Sequence, residues 1–242
     1  MSGHSKWAQI KRKKAVVDSK RGASFTKVAR LITMAARRGG GNPDGNATLR
    51  LAILKAKEAN MPNDNIQRAI KKGTGEDGGA QLEEVTYEAY AAHGVGLLVE
   101  CLTDNTNRTL PEIRLLLEKH GGSLASKGAV AYNFSKKGIF LFAPGTLEEK
   151  VMEVAIDAGA EDIASQPDAS VEVQTDPGHY EAVLKALNQG GLKPESSELT
   201  LAPGTRVELD AAATDKVLRL IDVLEEHDDV QNVFHNAHFP DA

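Results

Sequence analysis

A glycine-rich segment at residues 73–80 (GTGEDGGA) separates two parts of the chain with different hydrophobic patterns. The segment contains no large apolar residue, which is typical of a linker between separately packed units. Before it, apolar residues recur at helical spacing. After it, strand-like runs alternate with helical ones. The pattern therefore predicts an α+β protein with a helical N-terminal part.

The N-terminal part, residues 1–80, predicts a three-helix bundle. Apolar residues between Phe25 and Ala36 recur at i, i+3, i+4 and i+7, which is one face of a first helix. The breaker-rich run Gly39–Asn46 predicts a loop before a second helix. A third, short helix is expected to end at Gly73, because glycine is favoured just after a helix C-terminus.

The rest of the chain predicts two α+β domains, one inserted in the other. Residues 138–203 show the order strand, helix, strand, strand, helix, strand, which is the ferredoxin-like or split β-α-β order. The flanking residues, 81–137 and 204–242, predict the two parts of a second ferredoxin-like unit. The fold class is thus an N-terminal three-helix bundle followed by two ferredoxin-like α+β domains, with the chain returning to complete the first.

Two local patterns lie in residues 81–137, the first part of the unit that receives the insertion. Thr109–Glu112 (TLPE) matches a capping box and predicts the start of a helix. The run GAVAYNF, residues 128–134, is rich in apolar and aromatic residues and predicts a strand.

Charge is unevenly distributed along the chain. The whole chain has a formal charge of −5, but residues 1–80 carry +11 and residues 81–242 carry −16. Such asymmetry is typical of a protein whose basic segment meets a polyanion. We expect binding confined to one face and weakened by salt. The simpler interpretation is a solvated basic face or a flexible tail.

The basic residues of the first part are the candidate nucleic-acid contacts, since Lys and Arg bind phosphate. Trp7 offers a ring for base stacking, but it can equally anchor the N-terminal residues onto the bundle. The predicted nucleic-acid-binding residues are Lys6, Trp7, Lys11, Arg12, Lys13, Lys14, Lys20, Arg21, Lys27, Arg30, Arg37, Arg38, Arg68, Lys71 and Lys72.

Arg108 is a candidate secondary contact. It lies in TDNTNRT, residues 103–109, between a predicted strand and a predicted helix, where a helix N-terminus can bind an anion. The alternative is that these polar residues satisfy turn and capping hydrogen bonds.

Other function classes find little support in the sequence. We find no nucleotide-binding glycine motif, no nucleophile-elbow motif and no histidine spacing typical of a metal site. The acid pairs Glu225–Glu226 and Asp228–Asp229 are interpreted as a solvated face. We expect no enzyme activity, no cofactor and no metal.

The compartment follows from composition. No apolar run approaches the ~20 residues of a membrane span, so we expect no membrane partner. Cys101 is the one cysteine, which excludes an internal disulfide and favours a reducing compartment.

Several stretches, in order, resemble the YebC-like family. They are GHSKWAQIKRKKAVVDSKRG, FTKVARLITMAARRGGGNP, KAKEANMPNDNIQRAIKKGTG, GVGLLVECLTDNTNRTLPEIR and GGSLASKGAVAYNFSKKG. The resemblance is strong over residues 2–138 and looser beyond. Members are described as probable transcriptional regulators, and the family includes the mitochondrial translational activator of cytochrome c oxidase.

The resemblance implies a cytoplasmic bacterial protein of three domains without enzymatic activity. It implies DNA binding in transcriptional control or, alternatively, binding to ribosomal RNA on the ribosome, with relief of stalling at proline-rich stretches. The acidic α+β domains then remain available for a protein partner. The sequence shows no defensible helix-turn-helix spacing, which favours weak sequence specificity.

Overall fold

The computed structural model describes residues 21–76, 82–166 and 168–239, with side chains from residue 25 onward. The N-terminal part contains three helices, as the apolar spacing predicts: α1 at Arg21–Gly39, α2 at Ala47–Glu58 and α3 at Asn63–Thr74.

An aliphatic core joins the three helices. Ile32 of α1 and Leu49 of α2 are fully buried, and Ile66 and Ile70 of α3 pack with them. At Gly73, an added Cβ would lie 2.3 Å from the backbone oxygen of Thr33. Glycine at this position therefore allows α1 and α3 to approach closely.

The loop between α1 and α2 is held by one buried side chain. Asn46 is the N-cap of α2, and its side-chain oxygen accepts a hydrogen bond from the Leu49 backbone NH at 3.0 Å. Its amide nitrogen donates to the backbone oxygens of Ala35 (2.7 Å) and Gly40 (2.9 Å). The glycine-rich loop is thus fixed at both ends by Asn46.

The remaining elements alternate between strands and helices. In chain order they are β1 (Glu83–Tyr90), β2 (Gly96–Thr103), α4 (Thr106–Lys119), β3 (Ser123–Leu124), β4 (Phe134–Phe142), α5 (Glu148–Asp157), β5 (Ala160–Ser165), β6 (Val171–Thr175), α6 (Tyr180–Gln189), β7 (Ser196–Pro203), β8 (Val207–Glu208), α7 (Ala211–Glu226), β9 (Val230–His235) and β10 (Ala237–His238).

One four-stranded sheet has the order β3-β1-β2-β9, and β1 to β2 and β2 to β9 are antiparallel. Its edge strand β9 comes from the end of the chain, so the chain returns to this sheet after a long excursion. Leu117 of α4 and Leu224 of α7 are fully buried in one cluster with Leu97 and Val99 of β2. A short parallel pair, β8 with β10, lies beside this unit.

The excursion forms a second antiparallel sheet with the order β5-β6-β4-β7. Both helices pack on one face, because Val151 of α5 and Val183 of α6 share a core with Phe140 and Val173. This is the predicted split β-α-β order. The pairing of β4 with β7 begins at Phe134, so the predicted boundary at 137/138 falls inside β4. The division into domains itself stays a prediction.

Three local predictions are wrong. The third helix does not end at Gly73: it continues to Thr74 with Gly75 as its C-cap, and Gly73 is buried within the helix. The capping box at Thr109 does not start a helix, because α4 begins three residues earlier, with Asn105 accepting from the Arg108 backbone NH at 3.1 Å. The run GAVAYNF is not a strand up to Phe134. The backbone NH groups of Val130 and Ala131 donate to the carboxylate of Glu88 rather than to a neighbouring strand.

Among the helices in residues 21–76, 82–166 and 168–239, none has both the length and the apolar character needed to cross a membrane.

Candidate nucleic-acid interface

The outer face of α3 carries three exposed cations. Arg68, Lys71 and Lys72 lie at i, i+3 and i+4, so they project from the same side of the helix. The opposite side is buried against the bundle through Ile66, Ala69, Ile70 and Gly73. Since the core fixes the rotation of α3, the three cations point away from the rest of the bundle.

The same bundle has a large excess of positive charge. Residues 21–76 contain eleven Lys or Arg and four Asp or Glu. Arg50, Lys55 and Lys57 of α2 are exposed as well, although Arg50 was not among the predicted contacts. Within the described residues, neither these three nor the α3 cations form an ion pair. Their charge is therefore available to an external polyanion.

Two predicted contacts of α1 face the α+β body instead of solvent. The ammonium of Lys27 donates to the backbone oxygen of Glu225, in the last turn of α7. Arg30 donates to the backbone oxygen of Asp228 and pairs with the Asp229 carboxylate at 2.5 Å. Cations near the carbonyl end of a helix are stabilised by its dipole. Both side chains therefore connect the bundle to the end of α7.

The last turn of α1 continues this contact. Arg37 donates to the backbone oxygen of Leu82 at 3.0 Å, and Arg38 pairs with Glu84 at the start of β1. Both residues of the second pair are largely exposed. We therefore find the described basic side chains of α1 engaged within the chain, while those on the outer face of α3 project outward.

A buried carboxylate lies at the centre of the contact between bundle and body. The Asp229 side chain is 2% exposed and accepts hydrogen bonds from Thr103 at 3.0 Å and Thr109 at 2.5 Å. Arg108 donates to it at 2.9 Å, and Arg30 approaches it from the bundle. Asp229 was expected on a solvated face, and that prediction is wrong, because these donors replace the water a carboxylate requires.

This network sets the ionisation of its members. Burial raises the pKa of Asp229, but hydrogen bonds from Thr109 and Arg108 and the charge of Arg30 outweigh burial and hold that pKa far below its ordinary value. Burial lowers the pKa of Lys27, although Glu225 and Asp228 act in the opposite direction. The Arg108 side chain also pairs with Asp104 at 3.1 Å, which favours a structural role for TDNTNRT.

Three residues here have donor atoms close enough to hold a metal. Atoms of Glu112, His227 and Asp229 lie within 4.8 Å of one another. However, both oxygens of Asp229 already contact guanidinium groups, of Arg108 and Arg30, whose charge opposes a bound cation. The arrangement is that of an ion-pair network, and His227 contacts Glu112 at 3.0 Å within it.

The remaining predicted contacts lie outside the described structure. Lys6, Trp7, Lys11, Arg12, Lys13, Lys14 and Lys20 precede the described residues. Arg21 is the first residue of α1, but its side chain is not among those described. For these residues nucleic-acid binding stays a prediction.

Comparison with known proteins covers nearly the whole chain. The TACO1/YebC protein N-terminal domain matches residues 5–76, and the TACO1/YebC second and third domain matches residues 82–237. A probable transcriptional regulatory protein of Francisella tularensis is 51% identical over 239 residues, which are 99% of this chain and 96% of the relative. One from Shewanella oneidensis is 48% identical over 100% of this chain and 97% of its own.

A solved structure shows the same fold. The crystal structure of a conserved hypothetical protein from Aquifex aeolicus has a TM-score of 0.75 and 44% sequence identity, covering 93% of each chain. Fold and surface together define a cationic helical bundle on an acidic α+β body. The chain belongs to the TACO1/YebC family.

Proposed function

We propose that this chain is a regulatory protein that binds nucleic acid through the outer face of its helical bundle. The observation that carries the proposal is the row Arg68, Lys71 and Lys72, which projects from one side of α3 and pairs with no carboxylate in the described part of the chain. Lys and Arg in such an arrangement neutralise successive phosphates and release bound counterions.

DNA is the first target we propose, with transcriptional control as the outcome. The relatives from Francisella tularensis and Shewanella oneidensis are named probable transcriptional regulatory proteins. The predicted basic residues between Lys6 and Lys20 extend the same positive charge beyond the bundle. The proposal places the protein in the cytoplasm and assigns it no catalytic role.

Ribosomal RNA is the second target, with a role in translation. The specific observation is that the exposed cations of α3 are Lys and Arg, which bind phosphate, and phosphates are common to DNA and RNA. Relief of stalling at proline-rich stretches belongs to this second proposal. In either case the acidic parts of the body, where Asp and Glu are in excess, would be repelled by the nucleic-acid backbone and remain available to a protein partner.

The test is charge reversal of the α3 row in the full chain. We expect the triple variant Arg68→Glu, Lys71→Glu, Lys72→Glu to bind duplex DNA more weakly, and its salt dependence to decrease by about 0.9 per lost phosphate contact. Fluorescence anisotropy with labelled duplex at several salt concentrations measures both. A ribosomal RNA fragment in the same assay separates the two targets.

The matched control reverses three exposed lysines of the inserted sheet unit, Lys150, Lys185 and Lys193, which changes the net charge by the same amount. We expect this control to keep most of its affinity. If both triple variants lost the same affinity for nucleic acid, net charge alone would explain the loss, and the α3 row would not be part of the interface.

A further inference from the structure

Tyr132 is the most exposed of the large apolar and aromatic residues in the described chain, with 83% of its surface accessible. It lies in a one-turn 3-10 helix, Ala131–Asn133, just before β4. A tyrosine ring in water forgoes the burial that most aromatic side chains obtain. We therefore asked what keeps the ring exposed, and the hydrogen bonds of the backbone on both sides of it show that its position is fixed.

A buried carboxylate holds the backbone before the ring. Glu88 of β1 is 7% exposed, and its two oxygens accept hydrogen bonds from the backbone NH groups of Gly128 (2.5 Å), Val130 (2.6 Å) and Ala131 (2.8 Å). Burial raises the pKa of Glu88, but these three hydrogen bonds outweigh burial and lower it. The loop therefore wraps around a carboxylate that stays charged at neutral pH.

A second set of hydrogen bonds holds the backbone after the ring. The Asn133 amide donates to the Thr205 backbone oxygen and accepts from the Thr205 backbone NH, each at 2.8 Å. The hydroxyl of Tyr90 also donates to the backbone oxygen of Ala129 at 2.9 Å. Tyr132 is thus exposed on a firmly held loop, which lowers the entropy lost when a ligand stacks on it.

The segment of chain around Tyr132 is positive although the body is acidic, and the one carboxylate that this loop encloses, Glu88, belongs to β1. Residues 119–147 contain four lysines and no Asp or Glu. Lys127 directly precedes the three NH donors and is exposed, and Lys136 is exposed at the start of β4. Neither lysine forms an ion pair with any residue in the described ranges. Lys137, in contrast, pairs with Glu161 at 2.5 Å.

We propose that Tyr132 and Lys127 form a second nucleic-acid contact, in which an unpaired base stacks on the tyrosine ring and an adjacent phosphate binds the lysine. Aromatic rings beside cations are how proteins hold single strands without reading sequence. This inference rests on the proposed function and extends it from the bundle to the body. It implies that the bound nucleic acid has a looped or single-stranded part.

The neighbours of the ring favour a nucleotide over a protein side chain as the occupant. Protein-binding hot spots are aromatic residues set among other apolar contacts that exclude water. The exposed neighbours of Tyr132 in the sequence are mostly small or polar, namely Ser126, Gly128 and Ala131, whereas Val130 is buried and Phe134 is half-buried. A base needs only one open ring face and a nearby cation.

The test compares Tyr132→Ala with Tyr132→Phe in the full chain. Single-stranded RNA, single-stranded DNA and duplex DNA of equal length serve as probes in anisotropy titrations. We expect Tyr132→Ala to lose about tenfold in affinity for the single strands, as stacking energies indicate, and to bind duplex unchanged. Tyr132→Phe keeps the ring and should retain wild-type affinity. Lys127→Gln should decrease the salt dependence for single strands by about 0.7.

Ile156→Ala is the control, because Ile156 is an apolar side chain on α5 that is 53% exposed. Single-strand binding by Tyr132→Ala equal to that of wild type overturns this inference and leaves the bundle interface untouched. Loss of duplex and single-strand binding together in Tyr132→Ala also overturns it. Absence of binding by wild type to every probe removes the proposed function and this inference together.

Discussion

Arg30 of α1 and Asp229, which follows α7, approach to 2.5 Å although they lie near opposite ends of the described chain. The same carboxylate accepts from Arg108 of α4 at 2.9 Å. One buried carboxylate therefore ties together the helical bundle, the start of α4 and the end of α7. Residues first considered as phosphate contacts thus have a structural partner, and the outer face of α3 becomes the stronger candidate for nucleic acid.

Removing the charge of Asp229 should destabilise the protein strongly. In Asp229→Asn, the Arg30 and Arg108 guanidinium groups lose their shared counterion. Breaking one side of a buried ion pair typically costs about 3 kcal/mol. Urea unfolding at pH 7 measures the loss. The control Glu84→Gln breaks the exposed pair with Arg38 and should change the free energy of unfolding by at most about 0.5 kcal/mol. Similar losses in both variants would contradict a special role for Asp229.

The contribution of Asp229 to stability should depend on pH. Its pKa is lowered in the folded chain, so the unfolded chain takes up the proton first as the pH falls. The stabilisation is complete above the unfolded pKa of about 3.9 and declines as the pH falls below that value. We expect the difference in unfolding free energy between wild type and Asp229→Asn to be constant from pH 7 to 5.5 and to shrink below pH 4. A difference that grows with acid would contradict this assignment.

Cys101 should report on the packing beneath this network. Burial and the nearby Asp229 charge raise the pKa of its thiol to about 12, so very little thiolate exists at pH 8. We expect a thiol reagent to label native protein far more slowly than unfolded protein. Arg30→Ala should accelerate labelling by loosening the bundle from the body. Since Cys101 is the one cysteine, a single rate describes the reaction. Labelling of native wild type at the rate of an unfolded thiol would contradict the described burial.

Gly73→Ala should destabilise the bundle. The new methyl group would meet the Thr33 backbone oxygen at 2.3 Å, so α1 and α3 must separate. Overpacking of this kind costs about 1–3 kcal/mol, and thermal unfolding followed by circular dichroism measures it. Gly45→Ala is the matched control, because its Cβ would meet nothing closer than 4.0 Å. A melting temperature of Gly73→Ala equal to that of the control would show that the helices adjust at little cost.

Local patterns predicted the elements well because each depends on neighbouring residues. The apolar spacing from Phe25 to Ala36 identified α1, and the strand and helix order predicted for residues 138–203 matches that of β4, α5, β5, β6, α6 and β7. The order of the inserted sheet followed from the order of elements, since few connections suit the split β-α-β arrangement. The sequence motifs suggested a resemblance to the YebC-like family. Matches to the TACO1/YebC domains over residues 5–76 and 82–237 confirm it.

Predictions failed where a distant side chain competes with the local pattern. GAVAYNF has strand-forming residues, but Glu88 accepts its backbone hydrogen bonds from another part of the chain. Asp229 looked solvated because it follows Asp228, and nothing local indicates that Arg30 and Arg108 meet it.

The pairing of β2 with β9 also determines the order in which the units are completed on the ribosome. Strands β4 to β7 emerge as a contiguous stretch, so their sheet can close while the C-terminal residues are still being synthesised. The edge of β2 stays unpaired until its partner strand, Val230–His235, leaves the exit tunnel. A nascent chain stopped before Val230 would therefore expose a row of open hydrogen-bonding groups, the kind of edge that chaperones cover and that otherwise leads to aggregation.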